Sequence, residues 1–300
     1  MKELENIDMK VYPTQSCSSD CPFCMTDIRY KFKEVDTELF LSNFAEAVEE
    51  YHSNGGRKIL FTGGEPTNCP DKLLGMLKII KDYIMDLVVL YTNGTKLLKI
   101  EKKDELEKKL IEHLADVGLH SLNISVHHYD ANRRQELSRE PICDIEEVVR
   151  EATKNGISVR LNCTLLKDYI GNAEELMKYL DFANRIGVND IYFRDLFHLE
   201  NRELSIKYAD LKKVNYTDRQ RIDFYSLIEI FSKNEEVKSI ERLSRHKGQG
   251  DTHIFEYRKM RVSFGTLEIG TEDPNHYTYF VFMPDGNVYK NMNGPEFKED

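Results

Sequence analysis

No stretch of this 300-residue chain is long and apolar enough to span a membrane; runs such as 87–91 have the length of strands. The opening MKELENIDMK is too polar for a secretory signal. Positive charge is not in excess either, because 42 Lys and Arg stand against 52 Asp and Glu, a net −10. Such a surface does not draw nucleic acid or an anionic membrane, so neither is expected as a partner. Low-complexity segments and sequence repeats are absent, and no cysteine follows Cys163. What remains is a soluble, cytoplasmic chain whose 40% hydrophobic content suffices for a sizeable core.

Six cysteines are present, at 17, 21, 24, 69, 143 and 163, and three of them fall within eight residues. In a reducing compartment such a cluster points to metal rather than to disulfides.

Strand-like and helix-like segments alternate. Strands are expected at 10–14, 58–61, 87–92, 121–126, 158–165 and 190–194. Helices are expected at 38–51, 72–84, 104–117, 144–154 and 173–186. The first helix puts Phe40, Phe44, Val48 and Tyr51 on one face, with Asp36 or Thr37 as its N-cap. The second carries Leu73, Leu77, Ile80 and Ile84; the third Leu106, Leu110, Leu114 and Val117. Six strands joined through helices predict a parallel sheet, either open or a partial barrel. From about residue 200 the alternation stops. A helix at 218–233, a charged surface loop at 233–250, strands at 257–264, 267–269 and 277–283, and a Pro-Asp-Gly-Asn turn at 284–287 are expected there. Residues 1–200 therefore read as a core and 201–300 as a small α+β extension, its hairpin capping the open side.

The cysteine cluster reads Cys17-Ser-Ser-Asp-Cys21-Pro-Phe-Cys24. Three thiolates so spaced can ligate three irons of one cubane from a single loop, leaving the fourth iron open. A structural zinc site, recruiting Cys69 or a His as fourth ligand, is the alternative. Directly after the second strand comes Thr62-Gly63-Gly64-Glu65-Pro66. Glycines permit close backbone approach, and a carboxylate suits an ammonium.

CxxxCxxC after a first strand, followed by GGEP after a second, resembles the radical S-adenosylmethionine (SAM) superfamily over residues 9–200. The resemblance implies a partial (βα)6 TIM-like barrel, in agreement with the six units counted above. It also implies a [4Fe-4S] cluster on Cys17, Cys21 and Cys24, with SAM bound to the open iron. One electron would cleave SAM to a 5′-deoxyadenosyl radical, which abstracts hydrogen from substrate. A flavodoxin- or ferredoxin-type electron donor goes with that chemistry.

Further positions follow from the strands. A parallel strand covered on both faces is apolar on both, yet Asn123, Ser125 and His127 share one face of their strand. Arg160, Asn162 and Thr164 share a face of the next, and Tyr192 and Arg194 of the last. Three polar faces fit a lumen lined for a ligand. By resemblance, Gly63, Gly64 and Glu65 hold the SAM amine, Ser125 and Asn162 (with Arg160) reach SAM, Arg133 or Arg134 clamps its carboxylate, and Phe23 and Tyr192 lie near the adenine. Asn93, in a Thr-Asn-Gly that ends the third strand, points toward the pocket. His127, His128, Tyr12, Arg194, Asp195 and His198, and the basic Arg29-Tyr30-Lys31, are candidates for substrate contact.

The segment 279–291 resembles the hairpin of cysteine-rich modules that carry auxiliary clusters, but Lys290, Asn291 and Met292 stand where its cysteine belongs. Transfer of the molybdenum-cofactor cyclase activity is therefore not expected. The expected function is a single-cluster radical SAM enzyme acting on a small-molecule or peptide substrate. The rival reading is a non-catalytic zinc-binding or interaction protein on a degenerate barrel.

Overall fold

The computed structural model describes residues 7–24, 32–103, 106–139, 141, 143–196, 211–244, 251–266 and 280–290. The expected features at 29–31, 198, 267–269 and 277–279 lie outside the described residues.

Six strands form the parallel centre: β1 (Met9–Val11), β2 (Lys58–Phe61), β3 (Leu87–Thr92), β6 (Ser121–Ser125), β7 (Ser158–Thr164) and β8 (Asp190–Arg194). They pair in that order, each parallel to the next. Between them run α1 (Thr37–Ser53), α2 (Pro70–Ile80), α3 (Leu110–Asp116), α5 (Ile145–Lys154) and α6 (Ala173–Arg185). This is the order of a partial (βα)6 TIM-like barrel, as expected.

Period two decides the faces. Met9, Val11, Ile59, Phe61, Leu90, Leu122, Ile124, Leu161, Cys163, Ile191 and Phe193 point outward into one core with the helices. On α1, Phe40, Phe44, Ala47, Val48 and Tyr51 meet them, and the Asp36 carboxylate caps the helix by accepting from Leu39 N–H. Each fully buried Phe or Leu contributes roughly 1.5–3 kcal/mol. The opposite, inward face is the polar one.

Four sequence expectations need correction. Helix α2 ends at Ile80, so Ile84 is 80% exposed rather than in the core. The segment expected as one helix over 104–117 begins instead as a hairpin, β4 (Ile100–Lys103) with β5 (Leu106–Lys109), before α3. The charged segment 233–250 contains a strand, β9 (Val237–Ser244), paired to β10 (Asp251–Tyr257). The run 257–264 is broken by a turn at Arg258 and Lys259, both with positive φ (47° and 67°), which separates β10 from β11 (Met260–Gly265).

The described strands beyond residue 200 extend the sheet at both edges, and the hairpin expected to cap the open side pairs at the β1 edge. β11 joins β8 in parallel, followed outward by β10 and β9. At the other edge β12 (Phe280–Phe282) pairs parallel to β1 and carries β13 (Val288–Tyr289). The expected helix at 218–233 is two helices, α7 (Leu211–Arg219) and α8 (Phe224–Ser232). Phe231 of α8 packs on Phe255 and Phe264 at ring distances of 5.5 and 5.4 Å. A short α4 (Ala131–Ser138) follows β6.

Tyr51 locks the start of the sheet. Its hydroxyl lies 2.7 Å from Ile7 O and 2.8 Å from Lys58 O, and accepts from Met9 and Lys58 N–H at 3.2 Å each. Removing it orphans buried backbone groups, at about 1–3 kcal/mol. Tyr51→Phe is expected to lower unfolding free energy by about that amount in urea titration; an unchanged midpoint would refute the role.

Candidate functional site

The C-terminal ends of parallel strands collect ligands in barrels of this kind, and the three clustered cysteines lie at that end. After β1 the chain continues alongside the end of β2. Thr62 N–H donates to Val11 O (2.9 Å), Gly64 N–H to Thr14 O (3.0 Å) and Glu65 N–H to Ser16 O (2.8 Å). The stem leading into Cys17 is thus laid on the Gly-Gly-Glu turn. Side chains cannot fit between: a Cβ on Gly64 would stand 2.2 Å from Ser16 O, and one on Gly63 2.8 Å from Thr14 O. Gly63 also has φ +124°, which L residues rarely adopt.

Glu65 is 2% exposed. Its Oε1 accepts from Thr67 N (3.1 Å), Thr67 Oγ1 (2.7 Å) and Thr92 Oγ1 (2.7 Å), and Oε2 accepts from Asn93 N (2.7 Å). The carboxylate therefore ties the end of β2 to the end of β3. Asn93 passes the linkage on, its amide donating to Ser18 Oγ (3.3 Å) and Ser19 Oγ (3.0 Å) within the cysteine loop. On the far side Asp20 N–H donates to Ser138 O, and Arg139 pairs with the Asp20 carboxylate. Phe23 then sets its edge on His127, 4.9 Å between centroids, in a small apolar cluster with Leu137, Leu166 and Leu196. The loop so crosses the mouth from β2 to β8, fastened at each stage.

No disulfide joins the three thiols to another described residue; Cys17 is exposed and the other two are half-buried. Burial pushes the Cys17 thiol up, the Ser19 N–H on its sulfur opposes this, and the charges of Glu65 and Cys24 add to the rise. A metal that claims the thiolate reverses that balance. Among the described residues no three His, Cys, Asp or Glu gather around one ion. Thiolates that each take a separate iron of a cubane do not need to converge, whereas a tetrahedral zinc site does. Cys69 donates its S–H to Pro66 O (3.3 Å), and burial holds its thiol up at about 11.

Three predicted residues fall in one register row across the lumen: Ser125 on β6, Asn162 on β7 and Tyr192 on β8. The Asn162 Nδ2 is buried without a hydrogen-bond partner among the described residues. Such an orphan donor is unfavourable unless a ligand completes it. Ser125 lines a cavity of about 10 Å³, the size of one water, with Asn93, Arg134 and Ser138. The Tyr192 hydroxyl lies against Gly265 of β11, where a Cβ would meet it at 1.8 Å. Loop, glycine cradle and orphan amide fit a thiolate-held cluster with a ligand beside it.

Other expectations change. Arg160 sits one row nearer the closed end and is bound to Asp190 Oδ2 through Nε (2.9 Å) and Nη2 (2.7 Å), so it does not reach the mouth. Arg134 donates to the carbonyls of His128 and Tyr129, and Arg133 to Glu136 and Asp168 O. Both guanidiniums are engaged with protein, which removes them as a free carboxylate clamp. His128 faces outward, in a cleft of about 470 Å³ between α4 and α6. His127 faces the lumen; Thr164 N–H donates to its Nδ1, and burial, then the Arg194 charge, push its pKa down to about 4. Sequence reasoning missed Glu34, whose Oε1 accepts from Thr14 Oγ1 and Gln15 N and so clamps the stem; no local signal marks it.

A family model described as the Radical SAM superfamily matches residues 11–193. The chain belongs to the radical SAM superfamily. Among curated proteins, the GTP 3′,8-cyclase of Aliarcobacter butzleri is 26% identical over 69% of this chain and 61% of its own length. That of Campylobacter jejuni is 30% identical over 58% of this chain and 51% of its own. The chain thus spans about half to two thirds of the relatives it matches. Among solved structures, Streptococcus suis SuiB superposes with TM-score 0.59 at 14% identity, over 95% of this chain and 60% of that one. Escherichia coli coproporphyrinogen III oxidase gives 0.52 at 13%, over 77% and 53%. These likenesses show the fold. As a superfamily member the chain is an enzyme that uses SAM and a [4Fe-4S] cluster, and the zinc alternative is not favoured.

Gly64→Ala is expected to drive Cβ into the Ser16 carbonyl, a strain of about 1–3 kcal/mol. Iron and sulfide after reconstitution should fall with the melting temperature. A variant that keeps full cluster content would show that the stem can lift without consequence.

Proposed function

We propose that this chain carries its cluster on Cys17, Cys21 and Cys24 at the barrel mouth and binds SAM against the row Ser125–Asn162–Tyr192. The observation that carries the reading is the buried Asn162 amide, a donor without a partner on the ligand-facing side of β7. When bound, cluster and SAM supply the electron and the radical that abstracts hydrogen from substrate. The protein's own residues position and exclude water. Gly63 and Gly64 bring two backbone segments close enough for their peptide groups to meet the methionine amine. Glu65 holds that turn and adds negative charge beside an ammonium. Asn162 and Ser125 meet the ribose and carboxylate, and Phe23 and Tyr192 enclose the adenine. Residues 1–200 form the catalytic core, and 201–300 flank it.

A small-molecule substrate is the leading class, and the curated relatives named for GTP support a nucleotide-like candidate. A peptide is the second, since SuiB is described bound to the precursor peptide SuiA. The cyclase reaction itself is not proposed, because Lys290, Asn291 and Met292 replace the expected cysteine. A flavodoxin- or ferredoxin-type donor and a cytoplasmic location complete the proposal, the latter supported by six cysteines of which none is in a disulfide among the described residues.

Anaerobic reconstitution with iron and sulfide, then dithionite and SAM, should yield 5′-deoxyadenosine in wild type and none in the Cys17/Cys21/Cys24→Ala variant. A fully loaded cluster with neither SAM binding nor cleavage would sink the proposal.

Asn162→Leu removes the orphan amide, so stability should hold within about 0.5 kcal/mol or rise. SAM affinity, measured by calorimetry on reconstituted protein, should drop about tenfold, equivalent to roughly 1.4 kcal/mol. Unchanged affinity would take Asn162 out of the SAM site.

A further inference from the structure

The lumen holds one cation of a different kind from the rest. Arg160 is neutralised by Asp190 toward the closed end, and Arg261 stands in register with the same Asp190. Arg194 is the last residue of β8, at the mouth and half-buried. Its guanidinium makes no hydrogen bond or ion pair with any described residue; it lies over the Tyr192 ring, 5.7 Å from the centroid. Five N–H donors, partly withdrawn from water and unmatched by an acceptor, are unfavourable for the isolated protein.

Among the described residues, the neighbours that the register sets beside Arg194 carry no negative charge. In its register row stand Thr164 on one side and Gly265 on the other, so the row contains a hydroxyl, a guanidinium and a position without a side chain. His127 has Nδ1 filled by the Thr164 N–H, which leaves Nε2 as the nitrogen that bears hydrogen. The Tyr192 hydroxyl occupies the place of a Gly265 side chain, so a Cβ there would displace the ring.

We propose that Arg194 anchors an anionic group of the substrate, a carboxylate or phosphate, in the mouth of the barrel. The planar guanidinium matches two oxygens of either group. Two residues along β8 separate Arg194 from Tyr192, about 7 Å. The charged group is therefore held one step nearer the mouth than the row assigned to SAM. This inference rests on the radical SAM reading of the lumen and adds to it a substrate class.

The test is calorimetric titration of reconstituted protein, with and without saturating SAM, using pyrophosphate and succinate as probes at constant ionic strength. At least one probe should bind the SAM-loaded wild type. Arg194→Gln should weaken that binding tenfold or more, Arg194→Lys less, and both variants should keep SAM affinity within threefold. Matching circular dichroism and melting temperature verify that the variants fold. The proposal is overturned if neither probe binds, or if Arg194→Gln binds as wild type does. It is equally overturned if Arg194→Gln loses SAM affinity instead, which would assign the guanidinium to the carboxylate of the cofactor. A loaded cluster with neither SAM binding nor cleavage is a separate result. It would sink the SAM site proposed above, while the SAM-free titration would still decide whether Arg194 holds an anion.

Discussion

Everything at the mouth depends on one close approach, the stem of the cysteine loop resting on the Gly63–Glu65 turn. Two backbones meet there without side chains between them, and the N–H groups of Thr62, Gly64 and Glu65 donate to the carbonyls of Val11, Thr14 and Ser16. Glu65 makes the contact rigid. Its carboxylate collects four donors from Thr67, Thr92 and Asn93, and a buried carboxylate is tolerable only when so satisfied. Asn93 then returns to the loop through Ser18 and Ser19. The result is a closed circuit from stem to β2 to β3 and back to the residues between Cys17 and Cys21. A loop of three metal ligands held at both ends has little entropy left to lose on taking up a cluster.

The barrel wall works by the same division of labour along its strands. Outward residues are apolar and packed by helices; inward residues are polar and arranged in rows that the register fixes. Toward the closed end Arg160 is bonded to Asp190 Oδ2, while Asp190 Oδ1 is buried without a partner among the described residues. One step up, the row of Ser125, Asn162 and Tyr192 holds an orphan amide. At the rim stands a guanidinium without a counter-ion among the described residues.

Much of this was legible from local pattern. Strand alternation located all six central strands, Asp36 announced its cap, and the two motifs located the loop and its seat. Failures occurred where distant pairing overrode local preference. Leu106, Leu110 and Leu114 share a helical spacing, but Leu106 belongs to a hairpin and is 53% exposed; lysine- and glutamate-rich sequence favours helix until a partner strand competes. The edge strand β9 is charged, as exposed edges are, and so reads as loop. Arg258 and Lys259 form a left-handed turn without the glycine or asparagine that usually marks one. Glu65 shows the same limit in the site. Its identity suggested an ammonium partner; of its four hydrogen bonds the two from Thr67 are a local cap, while those from Thr92 and Asn93 come from the end of another strand that no spacing rule connects to it.

The C-terminal strands bear on the chemistry because they finish the walls on either side. At the β8 edge, β11 supplies Gly265, whose missing side chain gives the Tyr192 ring its place. At the β1 edge, Tyr12 N–H donates to Phe282 O and Val35 N–H to Pro284 O, so the hairpin grips the chain on either side of the cysteine loop. Asn43 adds an amide bond to Gly286 O from α1. These edge strands stiffen the two ends of an incomplete barrel.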